Sequence, residues 1–110
     1  MRISFANFIL GLAICAGLVA GPAVGSAAEE KKVHRLAIQV STNDPATMNL
    51  TLNNVVNVAQ EYSKDSQEFE IEVVAYGPGL HMLRDDTSPV KARVKSIVDS
   101  VPGVTFTACG

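Results

Sequence analysis

Residues Phe69 to Gly79 read FEIEVVAYGPG, and this stretch decides the fold. It begins as an alternation of apolar and acidic residues and becomes continuously apolar at Val73. That is the pattern of a strand with one exposed end running into the interior of a sheet. Gly77-Pro78-Gly79 then stops it at once. On the amino-terminal side, "SKDSQE" is a polar loop, and before it lies a helical pattern. Met48, Leu52, Val55, Val56 and Ala59 recur at i, i+4, i+7, i+8 and i+11, one buried stripe. Asp44-Pro45 opens that helix, with Asp44 as N-cap and Pro45 at the first helical position, where a missing N–H costs nothing. Earlier still, Val33 to Val40 (VHRLAIQV) reads as a strand.

On the carboxyl side, Leu80 to Arg84 reads as a short helical turn and "DDT" as a loop. Ser88-Pro89 repeats the cap-plus-proline start. Val90, Val94, Ile97, Val98 and Val101 give a second stripe, Pro102-Gly103 ends it, and Val104 to Ala108 is a third strand. The order is β-α-β-α-β with short links, which predicts an α/β fold, an open parallel sheet with right-handed crossovers. In open parallel sheets ligands meet the loops at the carboxyl ends of the strands. Here those are "STNDP", "GPGLH" and Cys109-Gly110.

The segment before this unit has a different character. Arg2 is followed by the apolar run Phe8 to Ala20, helix-breaking Gly21-Pro22, and small residues that suit cleavage after Ala27 or Ala28. Residues 1–28 therefore read as a secretory signal, 29–32 as a polar leader and 33–110 as the domain. A membrane anchor is the competing reading, but the run is short and interrupted by glycines. Cleavage would remove Cys15 and leave Cys109 alone. An odd cysteine in an exported protein points to intermolecular pairing or a reactive thiol. Without Arg2 the chain holds eight Lys+Arg against eleven Asp+Glu, so 8 − 11 = −3, with no basic block. Nucleic acid and anionic membranes are poor partners for such a surface.

The first strand, the Asp-Pro-started helix, "VVAYGPGLHML" and the helix running into "PGVTFTACG" together resemble the DsrE/DsrF-like sulfur-relay family. The closest branch is its exported members, described as intracellular sulfur oxidation DsrE/DsrF-like proteins. The resemblance spans Val33 to Gly110. It implies a three-layer parallel-sheet fold, assembly with like or related subunits, a sulfur donor or acceptor protein as partner, and a periplasmic or secreted location. It also implies a persulfide at Cys109, with Gly77, Pro78 and Gly79 as the glycine turn beside the pocket. The family continues past this cysteine, so the resemblance implies a chain lacking the last helix and strands. A three-stranded sheet with two helices would leave strand edges open and part of one sheet face bare.

Each candidate residue has a plainer reading. Cys109 is either a persulfide carrier or a small inert hydrophobe at a strand end. His81 could supply a positive charge to the thiol across the crevice, or be a locally bonded loop histidine. Asp44 borders the pocket but is first a helix cap. His34 is structural. Asn49, Asn53 and Asn57 form a polar row that reads as a solvated face or an interface edge, and the sequon at Asn49 is incidental within a helix. Two histidines and one cysteine without ligand spacing make no zinc site. Neither the residues nor the resemblance requires a cofactor. The sequence leaves two functions open: a covalent sulfur carrier rather than a turnover enzyme, and a non-catalytic oligomeric or ligand-binding module of the same fold.

Overall fold

The computed structural model describes residues 30–110, so the expected signal segment lies outside the described residues. The elements are β1 (His34–Val40), α1 (Pro45–Lys64), β2 (Phe69–Tyr76), a 3₁₀ helix (Gly77–Leu83), α2 (Lys91–Ser100) and β3 (Val104–Cys109). The strands form one parallel sheet in the order β1-β2-β3, with Leu36 in register with Ile71 and Ile71 with Val104. The α/β parallel fold expected from the alternation is present, with strand limits within a residue of those read from the sequence.

Strand order decides where the core lies. Two crossovers of one hand that step the same way across a sheet put both helices on one face. Burial agrees: Met48, Leu52, Val55 and Ala59 of α1 and Ile97 of α2 cluster with Val40, Ile71, Val73 and Val104. The described residues thus make two layers, helices and sheet. The opposite face carries Arg35, Glu70, Glu72, Thr105 and Thr107, all exposed, and no described helix covers it. The expected bare face is therefore observed, and no third layer is present among the described residues.

α1 starts as its sequence dictates. The Asp44 carboxylate accepts from the N–H of Ala46 and Thr47 and from the Thr47 hydroxyl at 2.6 Å. The helix ends in a Schellman turn, with Ser66 at φ 53 and Gln67 N–H donating to Tyr62 O at 3.0 Å, a closure that no glycine announces. His34 stacks on Tyr62, which stacks on Phe69, so that histidine is structural.

Three local expectations need correction. The residues from Gly77 do not form a break followed by a turn, because the 3₁₀ helix takes in the whole of Gly77–Leu83. α2 begins at Lys91, not at Pro89, and Val90 caps it without a side-chain bond. The Ser88 hydroxyl does accept the Val90 N–H at 3.3 Å as a cap would, but it also donates to Met82 O at 2.6 Å, and the helical bonding starts only with Val94 N–H donating to Val90 O at 3.0 Å. Val98 is not buried with its stripe but is 54% exposed.

The carboxyl of Asp44 is held below its ordinary value of 3.8, first by the Thr47 hydroxyl and then by the Thr47 N–H. The Arg84 side chain does the same for Asp86. A carboxyl depressed in the folded state stabilises above its unfolded value, and that contribution is lost as pH falls through the folded one. The melting temperature should therefore be steady near neutrality and decline below about pH 4. Asp44→Asn, which still caps but does not titrate, should soften the decline in thermal melts recorded against pH. An unchanged decline would show that this carboxylate contributes nothing to it.

Candidate functional site

The carboxyl ends of the three strands define the candidate site, and each loop there is held differently. After β2, Gly77 adopts φ +53 with open space around it, so its role is conformational. Gly79 is buried, and a Cβ there would lie 2.0 Å from Val40 O. The 3₁₀ helix can therefore fold back onto the end of β1 only because residue 79 has no side chain. Pro78, exposed between them, suits the first turn of that helix, where its missing N–H leaves nothing unpaired.

The far end of the 3₁₀ helix is tied to the loop before α2. His81 Nδ1 lies 2.8 Å from Thr87 Oγ1, Arg84 makes a two-pronged bond to Asp86 at 2.9 and 2.8 Å, and Lys91 pairs with Asp85. The stretch expected to be a plain loop is a cross-linked turn. His81 is half-buried, and its hydrogen-bond partner among the described residues is Thr87 rather than Cys109.

Cys109 closes β3, in register with Tyr76 on the central strand, and is exposed and unbridged among the described residues. Alternation along the strands puts Cys109 and Tyr76 on the bare face with Thr107 and Glu72. There the Thr107 hydroxyl donates to Glu72 Oε1 at 2.7 Å. At the other end of this face, Arg35 pairs with Glu70 at 2.8 Å. A shallow depression of about 480 Å³ lies between, lined by Arg35, Ala37, Glu70, Glu72 and Thr105. A larger groove, about 730 Å³, opens where Val56, Ala59 and Lys64 of α1 approach Phe69 and Pro102. Cys109 lines neither.

The structure thus brings Gly77, Pro78 and Gly79 to the sheet end that Cys109 shares, and assigns Asp44 to helix capping and His81 to the Thr87 turn. Sequence reading missed Arg93. Its guanidinium reaches from α2 to Asn49 Oδ1 and Asn53 Oδ1, both at 2.8 Å. The i, i+4 asparagine row was the available signal, and for two of its members the interface-edge reading holds.

The fold and this sheet end define a parallel α/β domain that presents one exposed thiol at a strand terminus. Comparison with known proteins finds no matching family model, no matching curated protein and no matching solved structure. Among the described residues no helix is long and apolar enough to cross a membrane.

Proposed function

We propose that this chain is a sulfur carrier of the DsrE/DsrF-like kind, exported from the cytoplasm, in which Cys109 holds sulfur as a persulfide between a donor and an acceptor protein. The observation that carries the reading is the placement of the exposed Cys109 at the carboxyl end of a parallel strand, where this class of fold puts its chemistry. An unhindered thiol is what sulfur exchange requires, since attack needs access and a thiolate. The thiolate attacks the outer sulfur of a persulfide donor. A new sulfur–sulfur bond forms at Cys109, the donor's bond breaks, and its electron pair leaves with the donor thiolate. An acceptor thiolate then attacks the outer sulfur and releases the Cys109 thiolate. No net oxidation occurs in either step.

A second reading, a non-catalytic module of the same fold that binds a ligand or its own kind, draws on a specific observation: His81 is engaged by Thr87. Reactivity separates the two. A carrier thiol should be alkylated by iodoacetamide faster in the folded chain than in the same chain unfolded in urea, because only the fold can raise its ionised fraction. Slowing in His81→Ala would make the imidazole the assisting group. Fast alkylation untouched by that change would keep the carrier and remove the histidine. A folded-state rate no higher than the unfolded one would overturn the carrier and leave the binding module.

A further inference from the structure

We draw no further inference here: the strongest candidate, the apolar groove between the carboxyl ends of α1 and α2 that Val56, Ala59, Phe69, Val101 and Pro102 line, carries nothing because nothing in the structure shows what covers it.

Discussion

Gly79→Ala should lower the melting temperature by about 15 °C, corresponding to about 3 kcal/mol in a domain of this size. The added methyl group would sit 2.0 Å from Val40 O and 2.6 Å from Val40 C, and both are backbone atoms of a strand end. A flexible side chain could swing aside, but this strand cannot do so without loosening its ladder to β2. Gly77→Ala provides the contrast. Nothing lies within 4 Å of a Cβ at that position, so only the positive φ of 53° resists, at a cost of about 1 kcal/mol. Two glycines one residue apart should therefore differ severalfold in the loss seen by thermal melts. Equal losses would show that the 3₁₀ helix is not seated on β1 in the way described.

Leu52→Ala should be comparably severe, about 3 kcal/mol by denaturant titration. Leu52 has no exposed surface and lies where α1 meets the sheet, in one cluster with Val55, Ile71 and Val73. Fewer than eighty residues lie in the elements and links from β1 to β3, and total stability at this size is only about 4–12 kcal/mol. Loss of one central side chain is a large part of that. Val98→Ala, one turn from the core but exposed, should cost almost nothing in the isolated fold. A Leu52→Ala loss near that of Val98→Ala would contradict the core assignment.

The contrast between those two residues shows what the sequence can and cannot convey. Periodicity places Leu52 and Val98 alike in apolar stripes, and only strand order separates them. With β2 central and both helices on one face, the sheet is too narrow to cover the outer flank of α2. The alternation of strand and helix was legible because Asp44-Pro45 and Gly77-Pro78-Gly79 punctuate it with residues whose backbone chemistry allows little else. Of the 3₁₀ helix only the part from Leu80 was legible, as a short helical turn; its start at Gly77 was not, since glycine and proline read as a break. The start of α2 was placed two residues early: Ser88 does accept the Val90 N–H as a cap would, but its hydroxyl also holds the neighbouring turn through Met82 O, and the helix proper begins at Lys91.

The candidate site was legible to a similar depth. Exposure of Cys109 follows from its place at the end of a strand, and alternation along the chain reveals it. The partner of His81 does not, because Thr87 is six residues away across a turn held by Arg84, Asp86, Asp85 and Lys91. Ion pairs between neighbours in a polar stretch look the same in sequence whether they are solvated singly or locked together. Arg93 was missed for the same reason, since its acceptors lie on another helix.

Sulfur loading and release at Cys109 tests the carrier most directly. The full chain, with Cys15 replaced by serine so that Cys109 is its one thiol, is incubated with glutathione persulfide, freed of donor, analysed by intact mass spectrometry, and then exposed to an excess of acceptor thiol. The expected result is one addition of about 32 Da per chain, absent in Cys109→Ser, that survives removal of the donor and is lost to the acceptor. No addition, or an addition of equal size in Cys109→Ser, would contradict the carrier.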